Sequence, residues 1–375
     1  MLEATAFGLV GLYLVLTGVR IALAVRALRR APPPPVDNGE PITVLQPILS
    51  GDPGLAALLA ENVVNQPNAR FLWLIDEDDA VGREIATRLA APNVEVLLAP
   101  PVPQGQNPKV FKLALGLPRC GALVAVLDDD TVLPPGALER ARSALALGDL
   151  VTGLPFYRPG NTIWSRLVAA FVNGSALVTY LPMLTFGPPV TLNGMFYLTR
   201  RETLESLGGF GAIVDRLCDD YELAKLYRRA GQRIVQTTIG HPLATTVPDF
   251  ASYTRLLRRW MVFAQQLFRE SLTAPMVLLA VLPAFLPLVL AALALAARSP
   301  GALALTFGAL VAKALALATL RRHHFGTAEG LASVICEVVA DLVQPLHALA
   351  AAVRPTHIRW RTRQIEIRDG GVTYR

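Results

Sequence analysis

The chain has 375 residues, 53% of them hydrophobic and 17% charged, with a formal net charge of +6. A mean hydropathy of +0.42 and the low charge exclude a disordered chain and favour a folded domain joined to membrane segments. Basic residues cluster beside apolar runs, which fits anchoring at a membrane and excludes a nucleic-acid-binding stripe, while three scattered cysteines exclude a disulfide framework.

Ala4–Leu28 is predominantly apolar over about 25 residues, enough to cross roughly 30 Å of hydrocarbon. Glu3 at its start, without a basic cluster or a small-residue cleavage site, predicts an uncleaved anchor. Arg26, Arg29 and Arg30 predict that its far end is cytoplasmic, with Arg20 snorkelling toward the same side. Pro32–Pro35 then predicts a stiff spacer.

Strands are expected over Ile42–Leu45, Phe71–Ile75, Val94–Leu98 and Ala122–Leu127, with helices over Leu55–Asn65 and Val81–Ala90. This alternation predicts an α/β nucleotide-binding layer structure with a mostly parallel sheet. Ligands of such sheets lie beyond the carboxyl ends of the strands. Two of these ends are acidic: Asp76-Glu77-Asp78-Asp79 and Asp128-Asp129-Asp130. If the strand stays extended, Asp128 and Asp130 point the same way and can share Mg²⁺ or Mn²⁺, which commonly bridges to substrate phosphates. The competing reading is a solvated acidic turn. Lys109 and Lys112, just before that strand, could offset diphosphate charge or simply begin a helix.

Trp164–Gly187, interrupted by Arg166, Asn173 and two prolines, predicts an interfacial amphipathic helix. A strand over Thr191–Leu198, a helix over Arg201–Gly211 and a helix over Cys218–Gly231 follow, the last with Asp219 or Asp220 near its start. Phe250–Glu270 is a helix carrying Arg255, Arg258, Arg259 and Trp260, a set suited to a diphosphate and a sugar or to anionic lipid. Ala274–Ala297 and Gly301–Leu320 predict two further spans. Gly330–Val353 contains Glu337 and Asp341 on one helical face and predicts a re-entrant or interfacial hairpin. The basic tail alternates like two strands around Asp369-Gly370-Gly371. The expected domains are an anchor (1–30), a catalytic domain with interfacial helices (31–270), membrane or re-entrant helices (271–353) and a basic hairpin (354–375).

Together these motifs resemble those of inverting GT-A glycosyltransferases of family 2/21 type, in particular ceramide glucosyltransferases and bacterial hopanoid glycosyltransferases. Three aspartate motifs and a (Q/R)xxRW helix follow one another between an N-terminal anchor and C-terminal membrane helices. Asp78 or Asp79 matches the first motif, Asp128 the second, with Asp130 completing DxD, and Asp220 the third. Arg259 and Trp260 match RW, but the motif's first position is Leu256, beside Arg255. The segments Asn107–Lys109 and Gly153–Pro155 also resemble the group.

The resemblance implies that a UDP-sugar, favoured as UDP-glucose, binds through Asp78 or Asp79, Lys109, Asp128, Arg259 and Trp260. Mn²⁺ or Mg²⁺ would be held by Asp128 and Asp130. Asp220 would deprotonate the hydroxyl of a ceramide-like membrane lipid, giving a β-glycolipid. N-acetylglucosamine transfer to a hopanoid polyol is the alternative. The implied location is a bacterial inner membrane, multi-pass, with the catalytic domain cytosolic and no nucleic-acid partner. His241, beside Pro242, reads as structural in preference to an added metal ligand. A polysaccharide synthase would need more spans, and the haloacid-dehalogenase pattern fails at Val132. A membrane lipid-binding scaffold with a decayed transferase domain is the non-catalytic competitor.

Overall fold

The computed structural model describes residues 2–30, 33, 34, 39, 41–353, 357–360, 363–368 and 371–374. In chain order the first elements are α1 (Leu2–Leu28), β1 (Ile42–Ile48), α2 (Leu55–Asn65), β2 (Arg70–Asp76), α3 (Ala80–Arg88) and β3 (Val94–Ala99). Next come α4 (Pro108–Gly116), β4 (Leu123–Leu127), α5 (Ala137–Ala144), β5 (Leu150–Tyr157), α6 (Ile163–Asn173), α7 (Ala176–Met183), β6 (Phe196–Arg200) and α8 (Arg201–Ser206). Then follow α9 (Asp219–Arg229), β7 (Ile234–Leu243), α10 (Phe250–Ser271), α11 (Ala274–Ala296), α12 (Pro300–Phe325) and α13 (Leu331–Val353). The tail forms β8 (His357–Trp360), β9 (Arg363–Arg368) and β10 (Gly371–Tyr374), paired antiparallel in the order β10-β9-β8.

The chain divides into two compact units. One comprises Met1–Arg30, Phe156–Gly187 and Val247–Arg354; the other comprises Ala31–Pro155, Pro188–Thr246 and Pro355–Arg375.

The second unit is built on a seven-stranded sheet of order β3-β2-β1-β4-β6-β5-β7. β3, β2, β1 and β4 run parallel, and β6 turns antiparallel to both β4 and β5. Every residue of β1 and β4 is buried, as expected for central strands covered on both faces, and β4 is wholly apolar. One apolar cluster joins Val44, Phe71, Trp73 and Ala125 to Leu59 of α2 and Ala141 of α5. The other joins Leu45, Leu72 and Val124 to Val110 of α4 and Leu223 of α9. The sheet is therefore held rigid on both sides, and its strand ends present fixed positions.

The first unit gathers helices. Among the described residues four helices, α1, α11, α12 and α13, are long and apolar enough to cross a membrane. Val10, Leu16, Leu286, Leu290, Leu310 and Val338 form the apolar centre of the unit. Three expectations are corrected within it. α13 is one continuous helix, with no re-entrant hairpin, because its acids have internal counter-charges. Asp341 receives Lys313 Nζ at 2.6 and 2.7 Å, and Glu337 pairs with Arg321. Arg20 does not snorkel; it is 5% exposed and its Nε donates to the Val178 carbonyl at 3.0 Å. The apolar stretch expected as one interfacial helix is two helices, α6 and α7, separated at Gly174 and Ser175.

In the α/β unit, residues 191–195 are irregular, with a turn at Gly194 and Met195, and β6 begins only at Phe196. β5, β7 and α5 were not expected from the sequence. The turn expected at Asp369-Gly370 lies outside the described residues, as do Pro32 and Pro35 of the proline spacer.

Candidate active site

The strand β4 ends at Leu127, so Asp128–Asp130 occupy a turn instead of continuing the strand. Thr131 N–H closes that turn on the Asp128 carbonyl at 3.2 Å. Asp128 is further fixed by its own N–H on the Met195 carbonyl, 3.0 Å, and by Gln46 Nε2 on its carbonyl, 3.3 Å. Gln46 is fully buried and its Oε1 accepts from Trp73 Nε1 at 3.1 Å, so a core aromatic anchors the turn. Asp129 is turned to β1, where its Oδ2 caps Leu49 N–H at 2.9 Å. Asp130 Oδ2 accepts from Thr245 Oγ1 at 2.8 Å. Strand alternation was thus the wrong reason for grouping Asp128 and Asp130; a hydrogen-bonded turn presents them.

Helix α4 supplies the charges that join this turn to the other acidic segments. Asn107 caps it through Lys109 N–H and Val110 N–H, with Pro108 at its first position. Lys109 Nζ has three acceptors: Asp128 Oδ1 at 2.7 Å, Asp219 Oδ2 at 3.1 Å and the Gly194 carbonyl at 3.1 Å. All three of its donors are engaged by protein, where the sequence suggested an ammonium turned to a diphosphate. Lys112, one turn on, donates to the Ile48 carbonyl at 2.7 Å and to Asp76 Oδ2 at 3.1 Å.

Asp219 and Asp220 open α9, where the helix N-terminus favours negative charge. Asp220 Oδ1 accepts from Tyr221 N–H at 2.7 Å and from Cys218 Sγ at 2.9 Å. Gly194 packs so closely that a Cβ there would stand 2.9 Å from Asp220 Cβ. The second and third acidic motifs therefore converge on one lysine and one turn.

The first motif behaves differently. Asp79 is the N-cap of α3: its oxygens take Gly82 N–H at 2.9 Å, Ser50 N–H at 2.9 Å and Ser50 Oγ at 2.6 Å. Asp78 is exposed. Asp76, in the same run, is the inward-facing acid. Its Oδ1 is buried without a hydrogen-bond partner while Oδ2 meets Lys112. An unmet buried acceptor is destabilising by about 1–3 kcal/mol, which marks a place for a donor from outside. Only the depth of the strand end separates Asp76 from its neighbours, and sequence alone does not show it.

Arg259 and Trp260 lie on α10 in the helical unit. The Trp260 ring packs on Tyr157, 6.3 Å between centroids, and on Phe171, 6.0 Å. Arg255 is exposed and donates to Ser252 Oγ at 2.9 Å.

Burial pushes the Asp128 carboxyl up to about 6, Lys109 opposing and Asp130 adding to the rise. Asp220 is likewise raised to about 6 by burial and by the charge of Asp219. Burial would lower the Lys109 ammonium, but Asp128 and Asp219 outweigh it and hold the group well above its ordinary range. For Asp79 the Ser50 and Gly82 donors overcome burial and keep the carboxyl below its usual range. Asp128 and Asp130 fit a hard divalent cation: they are two carboxylates close enough to repel one another. No group of three or more metal-ligating side chains gathers among the described residues. The protein would thus supply two carboxylates, leaving other coordination positions to water and substrate.

The family model described as glycosyl transferase family 21 matches residues 5–373, nearly the whole chain. The chain belongs to glycosyl transferase family 21. Among solved structures, this family 21 chain is similar to the mannosyltransferase PcManGT from Pyrobaculum calidifontis in complex with GDP-Man and Mn²⁺. The TM-score is 0.54 at 21% identity, over 95% of this chain and 99% of that one. S. aureus TarS 1-349 in complex with UDP-GlcNAc aligns at TM-score 0.40 and 12% identity, over 88% of this chain and 95% of that one. The search of curated protein sequences gave no match. The fold of the family 21 chain is accordingly mixed α/β of GT-A type, with helices suited to a membrane, and glycosyl transfer is the supported activity.

Proposed function

We propose that this family 21 protein moves a sugar from a UDP-sugar to the hydroxyl of a membrane lipid with inversion, UDP-glucose and a ceramide-like acceptor being the favoured pair. The observation that carries the reading is the Lys109 bridge between Asp128 and Asp219, which ties the DxD turn to the helix bearing Asp220. Asp128 and Asp130 would hold Mn²⁺ or Mg²⁺, which when bound would supply positive charge against that developing on a departing nucleotide diphosphate. The Mn²⁺ named with PcManGT supports a divalent ion of this kind.

Asp220 takes the proton from the attacking hydroxyl. A carboxylate raised to about 6 is a better proton acceptor than an ordinary one and is still ionised at neutral pH. Lys109 acts by holding Asp128 and Asp219 in place. Asp76, with its buried unpartnered oxygen, replaces Asp78 and Asp79 as the residue we assign to a donor group on the base. Arg259 and Trp260 are assigned to diphosphate and sugar on their motif alone. Basic flanks of the apolar helices support a cytosolic catalytic domain on a bacterial inner membrane.

The experiment is mass spectrometry of products formed by the full-length protein in detergent from UDP-glucose, or UDP-N-acetylglucosamine, with ceramide or a hopanoid polyol. A β-linked hexosylceramide is expected. A hopanoid product would replace the acceptor, and absence of both donor hydrolysis and glycolipid would overturn the enzyme.

A further inference from the structure

The turn Asn193–Met195 touches three parts of the site at once. Met195 carbonyl receives Asp128 N–H, Gly194 carbonyl receives Lys109 Nζ, and Gly194 Cα closes on Asp220. A turn has no ladder of its own to hold it. Its hold comes from side chains behind it, all in the α/β unit. Thr152 Oγ1 of β5 accepts Asn193 N–H at 3.0 Å and donates to the Phe196 carbonyl at 3.0 Å. Asn193 Oδ1 accepts Met195 N–H at 3.1 Å and lies 3.2 Å from His241 Nε2 of β7.

These contacts fix the histidine's tautomer. Met195 N–H makes the amide atom an acceptor, so Nε2 at the same oxygen carries the imidazole proton and Nδ1 is bare. Nδ1 is buried and faces Gly153, where a Cβ would stand 2.5 Å from it and 2.9 Å from the neighbouring Ile239 carbonyl. Only glycine leaves the ring room. His241 and Asn193 are 0% and 3% exposed, and the His241 ring also meets the Phe196 ring edge-on at 5.8 Å. Burial, against an opposing hydrogen bond to the Ile239 backbone, lowers the imidazole to about 3, so the ring is neutral near pH 7.

We propose that the His241–Asn193 hydrogen bond, backed by Gly153, is a positioning device that sets the turn on which Asp128, Lys109 and Asp220 are aligned. His241 is thus a positioning residue and not a metal ligand; its Nε2 is directed to an amide. The inference rests on the assignment of Asp128 and Asp220 given above. A space-filling core histidine would instead be replaceable by any ring of similar size.

The test compares His241→Phe, His241→Gln and Gly153→Ala in the full-length protein, reading kcat for donor turnover and thermal unfolding. Gln can place an N–H near the position of Nε2, whereas Phe cannot. His241→Phe and Gly153→Ala are expected to lose about tenfold or more in kcat, since small misplacements are amplified at the reacting atoms. His241→Gln is expected to recover most of that loss. Equal kcat in His241→Phe and His241→Gln, whether both intact or both reduced, overturns the proposal. Should the variants not fold, nitrogen NMR of histidine-labelled wild-type protein decides: a neutral Nε2–H ring is expected, and an Nδ1–H ring or an imidazolium overturns it. Absence of turnover in the wild-type protein removes the transferase itself, an outcome distinct from a loss confined to the variants.

Discussion

Lys313 on α12 and Asp341 on α13 form a two-pronged ion pair, 2.6 and 2.7 Å from Nζ to the two carboxylate oxygens, with both residues under a tenth exposed. Inside an apolar helical unit, removing one partner leaves the other charge buried and uncompensated. Lys313→Ala is expected to destabilise the protein by about 3–5 kcal/mol. Combining Lys313→Met with Asp341→Leu should restore most of it, because two apolar groups can replace a buried pair. Thermal unfolding of the detergent-solubilised protein measures both; a Lys313→Ala protein as stable as wild type would show that the pair is solvated.

Lys109→Met removes the charge between Asp128 and Asp219. The Asp128 carboxyl, already raised by burial, then loses the cation that opposes the rise. Divalent-dependent donor binding should weaken at pH 7 and recover partly as pH rises, since Asp128 must be ionised to bind. Calorimetric titration at pH 6, 7 and 8 checks this, and an unchanged pH dependence would refute the role.

Asp220→Asn should reduce transfer by about 10²-fold or more, in the range expected for a lost general base. Donor affinity should persist. Loss of affinity with unaltered turnover of bound donor would assign Asp220 to binding.

Asp128→Ala with Asp130→Ala should abolish the dependence of donor binding on Mn²⁺ or Mg²⁺. Unchanged calorimetric titration would remove the cation from this turn.

The pH profile carries its own sign. Asp220 is raised to about 6, so kcat should climb as pH passes through about 6 and level above it. Asp219→Asn removes a charge that contributes to the rise and should move the midpoint lower. Stability runs the other way. A carboxyl whose folded value exceeds its unfolded value binds extra protons in the folded state, so its contribution falls as pH rises from about 4 to about 6. Metal-free protein should gain stability from Asp128 and Asp220 on acidification through that window.

Much of the fold was legible where one signal dominated. β2 and β4 carry long apolar runs, α2 was expected at its observed limits, and the long spans announce themselves by length. β7 escaped because Gln236, Thr237, Thr238 and Gly240 dilute the apolar pattern while Ile234, Ile239 and Leu243 are buried. Residues 191–195 were expected as strand because Thr191 and Leu192 favour one, but Asn193 and Gly194 serve a turn held from β5 and β7.

Long-range pairing explains the other differences. The acids of α13 looked fit for a re-entrant hairpin because their partners, Lys313 and Arg321, lie 28 and 16 residues earlier. Arg20 was assigned to the membrane edge because Val178, its acceptor, is 158 residues away. The acidic strand ends were readable as a group; which acid faces inward depends on burial, and that separated Asp76 from Asp78 and Asp79.

Helix α4 sets a fixed gauge for the rim. Lys109 and Lys112 are three residues apart, an axial offset of about 4.5 Å and an angular offset of about 60° on a regular helix. One lysine grips the second and third acidic segments, the other the first. A single-residue insertion between them would swing one grip by about 100° relative to the other, so the acidic segments share one mechanical setting and cannot be retuned one at a time through this helix.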